Sequence, residues 1–373
     1  MLRAEGQSSG VWRLHRQTTH YRESTVRSNG GTVNGERVVD GILSAIGHTP
    51  LVRLTRVIEE IRFHLYAKLE AFNPAGSIKD RTAFSIISNA IETGEVRSGT
   101  TVIESSSGNM AIGLAQACAY FGLRFICVVD AKTTKQNIQI LKAYGAEVDV
   151  ITEPDAVTGE FLTARIQRVR TLLRSTPNSY WPDQYSNIYN ARAHYQTMDE
   201  VVTALGGRVD YLFCSTSTCG TLRGCAEYLR ANKLDTKIFA VDAEGSVIFG
   251  GLPNKRLLPG HGAARRPGLY QDGLAERCIH VSDLDCVIGC HRLLRREAIM
   301  AGASSGGVLM AVESIKDEIP PGANCVVLLP DRGERYLDTV YSDEWVREHF
   351  GDVSRFWQYS TEARARAKAT TLF

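Results

Sequence analysis

The chain has 373 residues, 43% of them hydrophobic, enough to bury a full core and to fill two lobes. Its 43 lysines and arginines stand against 41 aspartates and glutamates, a formal net charge of +2, so no global field draws in nucleic acid or an anionic membrane. No apolar run is long enough to span a bilayer or resembles a signal peptide, and nine cysteines without a Cys-x-x-Cys pair, most of them inside apolar runs, point to a reduced cytoplasm.

Residues 1–38 are rich in Ser, Thr, Gly and Arg without apolar periodicity, and are expected to form an N-terminal extension, flexible or draped over the domain. Glu5, Glu23 and Glu36 argue against a transit peptide, which would be poor in acid. Gly47-His48-Thr49-Pro50-Leu51 opens the folded part, and 65–70 reads as a strand delivering the loop Asn73-Pro74-Ala75-Gly76-Ser77-Ile78-Lys79-Asp80-Arg81. Pro74 and Gly76 punctuate that loop, and Ser77 can cap a helix over 78–92. Lys79 then lies in a first helical turn, against the positive end of the helix dipole, which is the wrong end for a structural cation. An amine withdrawn from water there is pushed towards the neutral form that makes an imine with an aldehyde. The competing reading is a solvated surface lysine.

Strands over 101–104, 125–129 and 147–151 alternate with helices over 111–120, 135–144 and 159–174, which calls for a parallel sheet with helices on its faces. The aromatic, polar segment 178–190 is expected to return the chain to the larger lobe. A second series has strands at 211–214, 238–241 and 325–329, with helices beginning near Thr221, Asp283 and Gly306. Ser105-Ser106-Ser107-Gly108-Asn109 joins a strand to a helix, so Asn109 can serve as a cap or a ligand. Ser217-Thr218-Cys219-Gly220-Thr221 does the same, with backbone N–H groups and a helix dipole converging on one point: a phosphate cradle, or a plain capped loop. Gly302-Ala303-Ser304-Ser305-Gly306 matches the Gly-x-Ser-x-Gly nucleophile elbow of serine hydrolases, yet 293–300 reads as helix where an elbow needs a strand, and the only later histidine is His349. Cys286, Cys290 and His291 are close enough on a helix to raise metal binding, but no fourth ligand is evident and they read as core.

The pattern Asn-Pro-x-Gly-Ser-x-Lys-Asp-Arg at 73–81 resembles the lysine motif of the cysteine synthase and cystathionine β-synthase family, the β family of pyridoxal-phosphate enzymes. The stretches at 105–109, 217–221 and 302–306 resemble the same family's other motifs, in the family's order, and the resemblance runs from about Gly41 to about Phe350. It implies an α/β protein of two doubly wound lobes, tryptophan synthase β-like, with the site in the cleft at the carboxyl ends of the strands. The expected division is a large lobe of 39–72 and 180–350, a small mobile lobe of 73–179 and a tail of 351–373, assembled as a homodimer. The implied cofactor is pyridoxal 5'-phosphate, bound through Lys79, with Asn109 at its phenolic oxygen, Ser217, Thr218, Cys219, Gly220 and Thr221 around its phosphate, and Ser304 at its pyridine nitrogen. Ser106, Ser107 and Gly108 would hold the substrate carboxylate. The implied reaction is β-replacement through an aminoacrylate, with Lys79 as general base.

Three departures from cysteine synthases stand out: Asn109-Met110-Ala111 for Asn-Thr-Gly, Asp183-Gln184-Tyr185 for Asp-Gln-Phe, and Ser217 for a glycine. Together with 331–339 and 258–263 they resemble the branch that joins O-phospho-L-serine to L-glutamate, giving N-(2-amino-2-carboxyethyl)-L-glutamate and phosphate on the way to 2,3-diaminopropionate for siderophores or peptide antibiotics. Tyr185 and Ser217 are expected to shape the nucleophile pocket. Arg165, Arg265 and Arg266 are candidate cations for a phosphorylated donor and a dicarboxylate. A cysteine synthase using O-phosphoserine or O-acetylserine, a serine hydrolase acting through Ser304 and a catalytically silent binding protein of the same fold remain as alternatives. All involve small molecules, with no nucleic acid or membrane partner.

Overall fold

The computed structural model describes residues 39–357 and the backbone of 32–33 and 36–37, so most of the expected extension 1–38, and 358–373 of the tail, lie outside the described residues. In chain order the elements are β1 (Thr32–Val33), β2 (Glu36–Arg37), β3 (Leu51–Leu54), β4 (His64–Leu69), α1 (Lys79–Glu92), β5 (Thr101–Ser105), α2 (Asn109–Phe121), β6 (Arg124–Asp130), α3 (Lys135–Ala143), β7 (Glu147–Ile151), α4 (Phe161–Ser175) and β8 (Ser179–Tyr180). There follow α5 (Ile188–Ala204), β9 (Tyr211–Ser215), α6 (Gly220–Ala231), β10 (Lys237–Ala243), β11 (Arg277–Val281), α7 (Asp283–Glu297), α8 (Ala303–Ser314), β12 (Asn324–Leu329) and α9 (Asp343–Phe350).

Two parallel sheets result. The larger has the order β11-β10-β9-β12-β4-β3, parallel throughout except that β3 runs antiparallel to β4; the smaller is β7-β6-β5-β8, all parallel. Side chains of a strand alternate between faces, so β9 and β12 feed two cores at once. Phe213 and Val327 pack with Leu65 and Leu309 on one face, and Leu212, Cys214, Val326 and Leu328 pack with Leu222 on the other. In the smaller sheet Val102, Cys127 and Val129 meet Ile86 and Leu114, while Ile103 and Val128 meet Val169.

The segment 178–190 is more than a connection. Ser179 and Tyr180 add a parallel strand beside β5, and Asn187 caps α5 by accepting the Tyr189 N–H at 3.0 Å. The helix expected near Gly306 begins at Ala303, so Ser304 and Ser305 occupy its first turn. Small residues make that possible: a Cβ on Gly306 would lie 2.0 Å from the Cys286 carbonyl oxygen, and α8 therefore lies backbone to backbone on α7. β11 was not foreseen; its mixed Arg-Cys-Ile-His-Val pattern is that of an edge strand.

Cys286 and Cys290 are buried, and the Cys290 thiol donates to the Gly302 carbonyl at 3.2 Å. His291 is committed to the Val340 carbonyl at 2.9 Å and stacks on Trp357 at 4.1 Å between ring centres, so this trio is core. Among the described residues no helix is long and apolar enough to cross a membrane.

Candidate active site

After β4 a short turn leads into the lysine loop. Ser77 Oγ accepts the Lys79 N–H at 3.2 Å, and the Ala75 N–H donates to Asp80 Oδ2 at 2.6 Å, so the loop is closed by its own side chains. The Ile78 N–H donates to the Pro330 carbonyl at 2.8 Å, and Ser77 bridges Asp331. Lys79 is the first residue of α1. Burial pushes its ammonium down from the ordinary 10.5 to about 8, against a smaller upward pull from Cys219. The neutral amine is the form that attacks an aldehyde, so capture of an aldehyde cofactor by the cofactor-free protein is expected to accelerate with pH through a midpoint near 8. Stopped-flow absorbance reads this, and a midpoint near 10.5 would remove the argument for Lys79.

Under the loop lies a closed set of buried charges. Arg81 donates to both oxygens of Glu70, at 2.7 and 2.9 Å, and to both oxygens of Glu200, at 2.9 and 2.8 Å. Lys68 donates to Glu200 Oε2 and to the Thr49 carbonyl, each at 2.6 Å. Thr49 Oγ1 and Asn73 Nδ2 complete the bonds to Glu70, each at 2.7 Å. Two acids thus match two bases, two residues beyond Lys79, and hold the start of α1 rigidly.

Asn109, first residue of α2, donates its amide to Asp331 Oδ2 at 2.7 Å, and the Tyr336 hydroxyl donates to the same oxygen at 2.8 Å. Burial pushes the Asp331 carboxyl up, partly offset by these two donors. Arg335 reaches Asn109 Oδ1 and the Ala75 carbonyl. The Gly302 N–H donates to the Asp331 carbonyl at 3.1 Å, which brings Ser304 to the same cluster as the lysine loop and Asn109. Ser304 lies in a helix and is not among the residues of positive φ, unlike the strained serine of a nucleophile elbow.

The loop between β9 and α6 is anchored at Thr216, whose N–H and Oγ1 both donate to the Val241 carbonyl, at 2.9 and 3.0 Å. The N–H groups of Ser217, Thr218 and Cys219 are taken by no acceptor among the described residues. Cys219 adopts φ 64°, a conformation natural to glycine that costs a side-chain-bearing residue about 1 kcal/mol. Thr218 Oγ1 accepts from Asn190 at 3.0 Å, and Thr221 Oγ1 meets His194 Nε2 at 3.2 Å. That histidine also meets Thr82 of α1, at 3.4 Å, tying the loop to the lysine helix. A buried amine and a loop of unspent N–H donors at a helix N-terminus fit an aldehyde that carries a phosphate, as pyridoxal 5'-phosphate does.

Ser106 Oγ accepts from the N–H groups of Gly108 and Ala111, at 3.4 and 3.3 Å, and the Ser107 carbonyl is held by Asn137 at 2.9 Å. Gln184 donates to the Ser105 carbonyl at 3.4 Å and is bound through its own carbonyl by Asn190, which places Tyr185 between the 105–109 loop and the 217–221 loop. Of the three candidate arginines, two converge on Tyr185: the Arg265 guanidinium lies 5.9 Å from its ring centre, and the field of Arg165 acts on its hydroxyl. Arg165 is also paired with Asp130 at 3.3 Å. Arg266 donates to the Ile248 carbonyl at 3.0 Å and lies over Tyr270, with its charge acting on Cys219 of the 217–221 loop.

Asp331, Arg335, His194 and the Glu70 and Glu200 carboxylates were not singled out one by one from the sequence. Asp331 had a usable signal, an acid directly after a strand apolar from Cys325 to Leu329 and a proline; the others are joined only by the fold.

Residues 42–331 match the family described as pyridoxal-phosphate dependent enzyme. The chain is 46% identical over 310 residues, 83% of this chain and 91% of the relative, to an N-(2-amino-2-carboxyethyl)-L-glutamate synthase of Ralstonia nicotianae. Among solved structures, a cysteine synthase of Entamoeba histolytica superposes with a TM-score of 0.77 at 31% identity, covering 88% of this chain and 94% of that one. An O-acetylserine dependent cystathionine β-synthase of Helicobacter pylori does so with 0.76 at 30% identity, covering 82% and 99%.

Proposed function

Since the chain belongs to the pyridoxal-phosphate-dependent enzyme family, with cysteine synthase-like neighbours, we propose that it is a β-replacement synthase joining O-phospho-L-serine and L-glutamate into N-(2-amino-2-carboxyethyl)-L-glutamate and phosphate. The observation that carries this reading is the 46% identity to the Ralstonia synthase over nine-tenths of that protein's length. A cysteine synthase is the second reading, favoured by the structural neighbours.

When bound, pyridoxal 5'-phosphate supplies an electron-withdrawing ring that acidifies the Cα–H of an attached amino acid and loosens its Cβ substituent. Lys79 Nζ would hold the cofactor aldehyde and, once free of it, would take the substrate Cα proton as general base. The N–H groups of 217–221 would hold the cofactor phosphate, Asn109 its phenolic oxygen and the Ser304 hydroxyl its pyridine nitrogen. Ser106, Ser107 and Gly108 orient the substrate carboxylate. At Cβ the C–O bond to phosphate breaks and a C–N bond to the glutamate amine forms, the amine giving up a proton. Tyr185, with Arg165 and Arg265 beside it, favours anionic partners at that position. Residues 73–179, built around the smaller sheet and its own core, act in this reading as the mobile lobe. A homodimer in the cytoplasm belongs to the same proposal, the described thiols being free and mostly buried.

Competition tests the choice of nucleophile. With O-phosphoserine as donor and glutamate and sulfide at equal concentration, the carboxyethyl adduct is expected to dominate by mass spectrometry; predominance of cysteine would move the assignment to cysteine synthase. The double change Tyr185→Phe with Ser217→Gly is expected to lower kcat/KM for glutamate by roughly ten- to a hundredfold. Cofactor binding should be spared, because the phosphate is held by backbone donors.

A further inference from the structure

On the outer strands of the larger sheet, β10 and β11 pair in register with Ala240 opposite Cys278 and Asp242 opposite His280. The period of two puts Asp242, Cys278 and His280 on one face. A carboxylate oxygen of Asp242, the Cys278 sulfur and a ring nitrogen of His280 all lie within 4.8 Å of one another, the one such trio among the described residues. Asp242 is fully buried; its Oδ1 accepts the Ala243 N–H at 3.0 Å, and its Oδ2 has no hydrogen-bond partner. Thr216 Oγ1 donates to the Val241 carbonyl at 3.0 Å and Ser246 Oγ to the Ala263 carbonyl at 3.4 Å; burial pushes the Asp242 carboxyl up, and these two hydroxyls, lying beside it, offset only part of that push. A buried carboxylate oxygen without a donor is costly unless a proton or a cation neutralises it, and the Cys278 sulfur and His280 ring nitrogen beside it favour a cation.

We propose that Asp242, Cys278 and His280 form a binding site for a single divalent transition-metal ion, with Zn²⁺ the best match. One thiolate, one imidazole and one carboxylate make the donor set of a tetrahedral zinc site with its fourth position open to water, and the thiolate excludes the hard cations Mg²⁺ and Ca²⁺. His280 is exposed and Cys278 half-buried, so an ion can reach the buried carboxylate along the sheet edge. Burial pushes the Cys278 thiol up to about 12, with Asp242 and Cys219 adding to the shift, so metal uptake releases a proton there. The site lies outside the β-replacement machinery yet beside it. Asp242 follows Val241, whose carbonyl anchors the first residue of the 216–221 loop, so an ion held here stiffens the floor of the phosphate cradle.

The test is titration of the metal-stripped, full-length protein with Co²⁺, followed by absorbance. One equivalent is expected to give the ultraviolet thiolate-to-metal charge-transfer band with the intense visible bands of a tetrahedral ion, both removed by one equivalent of Zn²⁺. Cys278→Ser should abolish the charge-transfer band. His280→Ala, a change at an exposed side chain, should weaken Co²⁺ affinity by roughly tenfold or more, the scale on which even outer-shell changes act. Far-UV circular dichroism of both variants checks that they fold. Absence of the band in the wild type, or a band of unchanged affinity in either variant, overturns the site.

Discussion

Lys79→Ala is expected to lower kcat for the proposed joining of O-phosphoserine and glutamate by about 10⁴-fold or more, because in the proposed reaction one side chain supplies both the covalent hold on the cofactor and the base for the Cα proton. The loss should fall on kcat rather than on KM, since the proposed substrate contacts, Ser106, Ser107 and the arginines beside Tyr185, remain. Borohydride gives a second readout that does not depend on turnover. In the wild type it should fix the cofactor to the peptide containing Lys79, and in the variant to none. A variant that still turned over at a substantial fraction of the wild-type rate would take Lys79 out of the reaction.

Arg81→Met carries the second large effect, on stability. The change leaves Glu70, with no exposed surface, holding a negative charge against only the Thr49 hydroxyl and the Asn73 amide. Removing one partner from a buried ionic set costs about 3–5 kcal/mol, whereas replacing the whole set by apolar side chains of equal volume can be nearly neutral. Urea unfolding of the variant should therefore show a markedly lower midpoint, which the further change Glu70→Leu partly restores. The same set gives a pH signature. Burial pushes Glu200 up, but the hydrogen bonds and charge of Arg81, with Lys68 and the His48 N–H, outweigh it and hold the carboxyl at about 2, below its ordinary 4.5. A depressed carboxylate stabilises the fold fully above 4.5, and that contribution is lost as pH falls from 4.5 through 2. In Arg81→Met the Glu200 carboxyl should return towards 4.5, so the share of stability lost as pH falls from 4.5 through 2 should shrink; an unchanged acid profile would mean that Arg81 does not hold Glu200.

Much of this was legible in the residues because each loop obeys a local rule. Asn187 before α5 is a cap; Ser77, expected to cap the lysine helix, lies one residue before the N-cap, Ile78, and accepts the Lys79 N–H within the turn. The runs in β5, β6, β9 and β12 are apolar because both faces of an inner parallel strand are covered. Legibility stopped where distance along the chain grew. Glu200 lies 119 residues from Arg81, and Asp331 lies 222 from Asn109, and no periodicity relates such partners. The start of α8 was misplaced for a different reason: a Gly-Ala-Ser-Ser-Gly-Gly run has low helix propensity, and only its fit against Gly289 of α7 makes a helix of it. β11, short and at an edge, carries too little pattern to be seen.

The position of β12 has a consequence for the order in which the molecule can be made. It lies between β9 and β4, so the strand that delivers Lys79 has no partner on its inner side until residues 324–329 have left the ribosome. The bridges from Ser77 to Asp331 and from Ala301 to Arg332 are later still. During vectorial synthesis the smaller sheet can assemble on its own, while β4 waits with the backbone N–H and C=O groups of one edge unpaired for more than two hundred residues of elongation. A nascent chain stalled before 324 would carry the lysine and the phosphate loop without the strand that joins them.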